Sequence, residues 1–199
     1  EVLRIDGLDN IGIPDAITIT PSVEENYSRE TYKEKAANYL LGLGFNEIMT
    51  NSITNAAYFS EAEREQMVKM LNSLSAELNI LRNSLLETAL EVVVRNLNHK
   101  NNSLRLFEYG KAYSTSGQNK YHEAEKLCIV ISGNIPEDNW KQKTVGTDFY
   151  YLKGVVISIF NLLGIKYDSM EILQVPKLDN HIVFSLNGQI IAGAGEVNK

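Results

Sequence analysis

Apolar positions recur along this chain with two periods, and those periods divide it into elements. Tyr32, Ala36, Tyr39, Leu40 and Leu43 fall on one helical stripe. Ser22 is placed to cap that helix, Glu24 and Glu25 suit its first turn, and Gly42 and Gly44 end it. Phe45–Ile53 then reads as a strand, Ala57–Glu65 as a short helical or irregular piece, and Met67–Leu71 as a further strand. A second helix carries Leu86, Leu90, Val93, Val94 and Leu97 on one face, and a polar turn from Asn98 to Ser103 follows it.

The strand Leu104–Tyr109 sets Leu104, Leu106 and Glu108 on one face and Arg105, Phe107 and Tyr109 on the other. One charge on each face of an apolar strand predicts an edge or half-exposed strand. It also predicts that Arg105 and Glu108 cannot pair with each other, so each needs a partner from another element. Beyond a polar loop from Ser114 to Tyr121, Lys126–Ser132 is a strong strand. Residues 133–147 are loop-like, with Trp140 as a lone anchor. Asp148 can cap a helix reaching about Leu163, with Tyr151, Val155, Ile159 and Leu162 or Leu163 on its buried side. Two closing strands, Ile182–Leu186 and Ile190–Gly195, flank Asn187-Gly188, the strongest short signal for a hairpin. Strands punctuated by long helices, without βαβ alternation, predict an α+β fold: an antiparallel β-sheet flanked by helices.

Composition narrows the function. The 199 residues suffice for a substantial core, and 44% hydrophobic with 22% charged residues is ordinary for a globular domain. A formal net charge of −6 argues against wrapping nucleic acid through the overall field, though not against a local basic contact. Arg95 with Lys100, and Lys141 with Lys143, are too sparse for the clustered basic and aromatic surface of an RNA-binding module. Cys128, the single cysteine, lies in the run Leu127–Ile131 and reads as a buried small hydrophobe. That cysteine usage fits a cytoplasmic location, and no stretch reaches the ~20 apolar residues that span a bilayer, which predicts no membrane partner.

Candidate chemistry is sparse. His99, His122 and His181 are scattered without metal-ligand spacing. There is no Gly-rich phosphate loop and no nucleophile elbow, and Glu61, Glu63 and Glu65 read as a solvated acidic cluster.

Several short words in fixed order give a more specific signal. Leu81-Arg82-Asn83-Ser84-Leu85-Leu86, then Asn96-Leu97-Asn98, then Arg105-Leu106-Phe107-Glu108-Tyr109-Gly110-Lys111 resemble the "LRtSLLp…NlnR…rlFEiGrvf" signature of the beta subunit of bacterial phenylalanine–tRNA ligase. Leu71–Ser75 is similar to its "lNPLS", with Ser73 for the usual proline, and Leu152-Lys153-Gly154 to its "dlKG". Arg4–Ile11 resembles the "RiyGydnIP" tail of the preceding domain. The resemblance covers essentially the whole chain. It marks Arg82, Ser84, Asn98, Arg105, Glu108, Gly110, Lys153 and Gly154 as signature positions.

The resemblance implies a domain folded like the catalytic core of a class II aminoacyl-tRNA synthetase but lacking its active site. Residues 1–20 would be the tail of the preceding domain and a connector, and 21–199 the synthetase-like domain, cut short at its C-terminal end. The chain opens on Glu1, not methionine, and is expected to be a piece of a longer product. A working class II core holds ATP with an arginine after the second conserved strand and another in a late GxGxER-type motif, and neither is found here. No catalytic or cofactor-binding residue is therefore expected in this piece, which alone should be inactive although it belongs to an aminoacyl-tRNA ligase. ATP and Mg²⁺ would serve the whole enzyme. Glu1 matches one glutamate of the family's Mg²⁺ set, a vestigial position, since a lone carboxylate does not hold the ion.

The implied partners are the catalytic alpha subunit, in a heterotetramer of two alphas and two betas, and tRNA(Phe). The helix-then-strand form of Ser22–Ile53 resembles the first class II motif, so Tyr27, Tyr32 and Ala37 are candidates for the partner surface. An autonomous ATP- and amino-acid-binding enzyme, or an RNA-binding module, are the alternatives.

Overall fold

The computed structural model describes residues 4–5, 7–10, 12, 16, 18–20, 27–73, 75–117, 120–135 and 145–198. Glu1, the Ser22 cap and Trp140 lie outside the described residues. Helix α1 (Tyr27–Gly42) is followed by β1 (Asn46–Glu47), β2 (Ile53–Thr54), α2 (Glu61–Glu65), β3 (Ile80–Leu81) and α3 (Leu86–Asn98). Next come β4 (Leu104–Thr115), β5 (Tyr121–Ser132), β6 (Asn134–Ile135), β7 (Val145–Gly146) and α4 (Phe149–Leu163). The chain then forms β8 (Ser169–Ile172), β9 (Leu178–Leu186) and β10 (Gln189–Val197).

Two three-stranded sheets carry the fold, in the orders β1-β4-β5 and β10-β9-β8. Most pairing is antiparallel, but β1 runs parallel to β4, with Asn46 opposite Leu106 and Glu47 opposite Phe107. The alternation along β4 falls as the pattern predicts. Phe107 packs with Ala36, Leu40, Phe45, Val155 and Ile159 beneath α1 and α4, and Tyr109 joins from the rim. Leu104 and Leu106 pack on Val93 of α3. Helices thus cover both faces of β4, and strands flank both its edges. The expected edge or half-exposed strand is in fact the centre of its sheet, because both charged side chains find hydrogen-bonding partners that the local pattern does not contain.

Helix α4 serves both sheets. Val155 and Ile159 face β4, while Phe160 packs on Ile182, Phe184 and Ala194 of the second sheet. Asp148 caps it by accepting from the Tyr151 amide at 2.8 Å, and Gly164 closes it in the left-handed region at φ +69°. The hairpin between β9 and β10 turns on Asn187 and Gly188, both with positive φ, as a two-residue primed turn requires.

Three other expectations need correction. Phe45–Ile53 is not one strand: β1 stops after Glu47, and the chain leaves the ladder so that Thr50 can reach Glu108. Met67–Leu71 contributes only an isolated bridge between Lys69 and Ile80. Helix α3 buries Thr88, Ala89 and Val93, whereas Val94 is 56% and Leu97 41% exposed. The small side chains of Thr88 and Ala89 let the helix lie close to the sheet. The larger Leu86, Leu90, Val94 and Leu97 stripe is turned about one residue's rotation away.

Candidate functional site

The signature residues Arg82, Glu108 and Gly110 are brought together at one buried point between β3, α3 and β4. Arg82 is 3% and Glu108 2% exposed, and Arg82 Nη1 donates to Glu108 Oε1 at 3.0 Å. The same nitrogen donates to Thr50 Oγ1 at 2.6 Å, and Arg82 Nε donates to the Lys111 carbonyl at 3.1 Å. Thr50 completes the carboxylate: its amide donates to Glu108 Oε1 at 3.1 Å and its hydroxyl to Oε2 at 2.7 Å. Thr88 Oγ1 lies 2.9 Å from the Thr50 hydroxyl. A buried charge pair persists only when its remaining donors and acceptors are also satisfied, which is what the two threonines achieve.

Gly110 is required here by space. A Cβ on it would lie 2.4 Å from Arg82 Nη2 and 2.6 Å from Leu85 Cδ2. Cys128 stands opposite Glu108 in the β4–β5 ladder. Burial, with the Glu108 charge as the lesser cause, pushes its thiol up to about 12, which keeps it protonated and inert.

Arg105, on the other face of β4, donates to the Leu43 carbonyl at 3.0 Å. Its guanidinium thereby closes the C-terminus of α1, where a cation is favourable. Gly44, at φ +79°, makes that approach possible: a Cβ there would be 3.1 Å from the Arg105 guanidinium carbon. Tyr109 donates its hydroxyl to the Lys33 carbonyl at 3.2 Å, and burial followed by the Glu47 charge raises its phenol to about 12.

The other signature residues stand apart from this centre. Ser84 accepts from the Leu86 amide at 2.9 Å and so steadies the start of α3. Asn98 is exposed at the far end of α3. Lys153 is half-buried and Gly154 exposed on α4, with open space where a Cβ would go, so Gly154 has no steric role in this chain. Among the partner-surface candidates, Tyr32 is 50% exposed, while Ala37 packs against the core beneath α1. Tyr27 is placed at the start of α1.

Two clusters were not legible in the pattern. Thr50 and Thr88 read as ordinary polar residues; the only hint was a hydroxyl inside the supposed strand Phe45–Ile53. Lys177 bridges Glu63 of α2 at 3.1 Å and Glu87 of α3 at 2.9 Å, and its ammonium lies 4.8 Å from the centre of the Phe59 ring. Glu63 is therefore no mere solvated acid. It also closes a capping box with Ser60, and these bonds hold its carboxyl below the usual range, Ser60 being the main cause. Lys111, on the outer part of β4, is exposed and donates to Glu123 at 2.7 Å, which raises its ammonium above the ordinary value. Among the described residues, no three His, Cys, Asp or Glu side chains converge as metal ligands, and no helix is long and apolar enough to cross a membrane.

Comparison with known proteins agrees with this architecture. The pyrrolysyl tRNA synthetase of Desulfitobacterium hafniense matches with a TM-score of 0.59 at 18% identity, over 84% of this chain and 58% of that one. A Bacillus halodurans protein described as an ATP phosphoribosyltransferase regulatory subunit/histidyl-tRNA synthetase matches at 0.55 and 17%, over 81% of this chain and 41% of that one. The fold is therefore that of class II aminoacyl-tRNA synthetase catalytic domains. In sequence, the phenylalanine–tRNA ligase beta subunit of Bacteroides fragilis is 33% identical over 184 residues, 86% of this chain. That of Dehalococcoides mccartyi is 34% identical over 172 residues, 84% of this chain. The chain spans 22% and 21% of these relatives' own lengths. The profile of the phenylalanyl tRNA synthetase beta chain CLM domain matches residues 13–199, and the chain belongs to that family.

Proposed function

We propose that this chain is the non-catalytic, synthetase-like domain of a phenylalanine–tRNA ligase beta subunit, and that it supports assembly with a catalytic alpha subunit. The whole enzyme would be a cytoplasmic heterotetramer of two alphas and two betas that charges tRNA(Phe) with phenylalanine, using ATP and Mg²⁺. The observation that carries the reading is how the cations around β4 are used. Arg82 is held by Glu108, Thr50 and the Lys111 carbonyl, Arg105 closes helix α1, and Lys111 pairs with Glu123. A phosphoryl-transfer site needs cationic forks aimed at the nucleotide. The cations on and beside this strand are bonded to the protein itself, so these residues do not fit a nucleotide and its magnesium.

The test is phenylalanine-dependent exchange between ATP and pyrophosphate, measured on the purified full-length beta subunit with and without alpha. Activity is expected only when alpha is present. Clear exchange by beta alone would favour the autonomous-enzyme reading instead.

A further inference from the structure

Asn187-Gly188, which turns the chain between β9 and β10, is the one Asn-Gly step among the 199 residues. Such a step carries a reaction of its own. A backbone nitrogen can attack the side-chain amide of an asparagine that precedes it and close a five-membered ring. Glycine in the second position favours closure, because no Cβ crowds the attacking nitrogen.

The structure leaves the reacting groups open. Asn187 and Gly188 are both exposed. The ladder closes at the pair Leu186 and Gln189, so the Gly188 amide lies within the loop, without a strand partner. Asn187 is held by its backbone alone: its N–H donates to Asp168 Oδ2 at 2.6 Å, while its side-chain amide has no partner among the described residues. Asn51, Asn72 and Asn102 are exposed as well, but each is followed by serine, whose side chain hinders attack. Asn51 is further restrained by accepting from the Ile53 amide at 3.1 Å.

One contact opposes the reaction. Asp168 is fixed by its own amide, which donates to the Ser185 carbonyl at 2.8 Å. Its carboxylate then pins the backbone of Asn187, the residue that must rotate for the ring to close. Its negative charge also disfavours an anion on the neighbouring peptide nitrogen.

We propose that Asn187 is a site of intramolecular deamidation, held in check by Asp168. Hydroxide removes the Gly188 amide proton, and the nitrogen attacks Asn187 Cγ. The N–Cγ bond forms, the Cγ–Nδ2 bond breaks, and Nδ2 leaves as ammonia, taking a proton from water and restoring the hydroxide. Water then opens the succinimide. Breaking the N–Cγ bond leaves aspartate. Breaking the bond from that nitrogen to the Asn187 carbonyl carbon leaves isoaspartate, with the chain running through Cγ. Both products set a new carboxylate near Asp168, and isoaspartate also lengthens a two-residue turn whose length fixes the β9–β10 register.

The test ages the assembled enzyme, with its beta subunit at full length, in neutral and mildly alkaline buffer, and digests it under mildly acidic conditions. Electron-transfer fragmentation then separates aspartate from isoaspartate at each asparagine. Asn187 should convert at least about tenfold faster than Asn51, Asn72 and Asn102, with isoaspartate among its products. Its rate should rise about tenfold per pH unit, since only the deprotonated amide attacks. Asp168→Ala should speed conversion at Asn187 several-fold and leave the three reference asparagines unchanged, which also shows that the fold is intact. Asp168→Asn, which keeps an acceptor but not the charge, should fall between the two. An Asn187 rate no higher than that of the serine-flanked asparagines overturns the site. An unchanged rate in Asp168→Ala overturns the restraint.

Discussion

Two neighbouring stretches of one sheet handle their polar groups in opposite ways. At the Arg82–Glu108 centre, charged and hydroxyl side chains are buried and their bonds are closed within the domain. One residue further along β5, the Ile129 backbone opens into a cleft with no ladder partner among the described residues. The first region closes its polar groups on side chains; the second leaves backbone groups facing a cleft. Charges on a strand that is covered on both faces persist only when they are turned into internal structure.

The largest expected effect comes from opening the closed region. Arg82→Ala would leave the Glu108 carboxylate buried without its cation and cost about 3–5 kcal/mol. The double change Arg82→Met with Glu108→Leu should cost clearly less than the sum of the two single changes, because neither charge is then left alone. Hydrogen exchange of the β4 amides in the full-length protein would report both. Equal, additive losses would mean that the pair is not coupled. Gly110→Ala comes next. Its methyl would press on the Arg82 guanidinium and Leu85, and a loss of about 1–3 kcal/mol is expected from the same amides.

A smaller effect is expected at Lys177, whose two carboxylate partners lie near the surface. Lys177→Ala should cost at most about 1 kcal/mol and loosen α2 more than β4. Its pH dependence has a definite sign. The Glu63 carboxyl is lowered in the folded state, so its contribution is present above the unfolded value and is lost as acid is added through the folded one. The Lys177 ammonium is raised by Glu87 and Glu63 against the opposing effect of burial. Its contribution is complete below the ordinary lysine value and disappears only as the pH climbs through the raised one. Local exchange of α2 amides against pH, compared with the Lys177→Ala protein, would show whether the protection fades at both ends. No difference between the two proteins would remove this cluster from the fold's supports. Tyr32→Glu should leave the domain folded, since the ring is half-exposed, and should weaken co-purification with the alpha subunit if α1 is the partner surface. Unchanged association would remove Tyr32 from that surface.

The legible parts of the fold were those where local chemistry and tertiary demand coincide. Asp148 and Gly164 bound α4, Asn187-Gly188 makes the hairpin, and β4 sends its two apolar sets to opposite layers, all as the pattern implies. The misreadings have a common cause. A glutamate in a strand looks exposed until Arg82, 26 positions earlier, is brought against it. The larger apolar stripe of α3 looks like its core face, yet the helix packs through Thr88 and Ala89, and Leu86 and Leu90 line the open cleft instead. Periodicity reports which side of an element avoids water, not whether this domain or another piece of chain covers it. The signature positions were visible as words, but what joins Arg82, Glu108 and Gly110 is a long-range contact. Thr88 carries no local signal, and Thr50 only that of a hydroxyl inside an apolar stretch.

The claim that this domain's cations serve its structure and not the nucleotide is tested most directly at Lys111. It is the exposed cation on β4, and it can be altered without disturbing the buried centre beneath it. The measurement is the ATP dependence of phenylalanine-driven pyrophosphate exchange by the assembled enzyme carrying Lys111→Ala in beta. kcat and KM for ATP are expected to stay within about twofold of the unaltered enzyme. A rise in KM of roughly tenfold, equal to about 1.4 kcal/mol of lost binding, would place this strand at the nucleotide and contradict it.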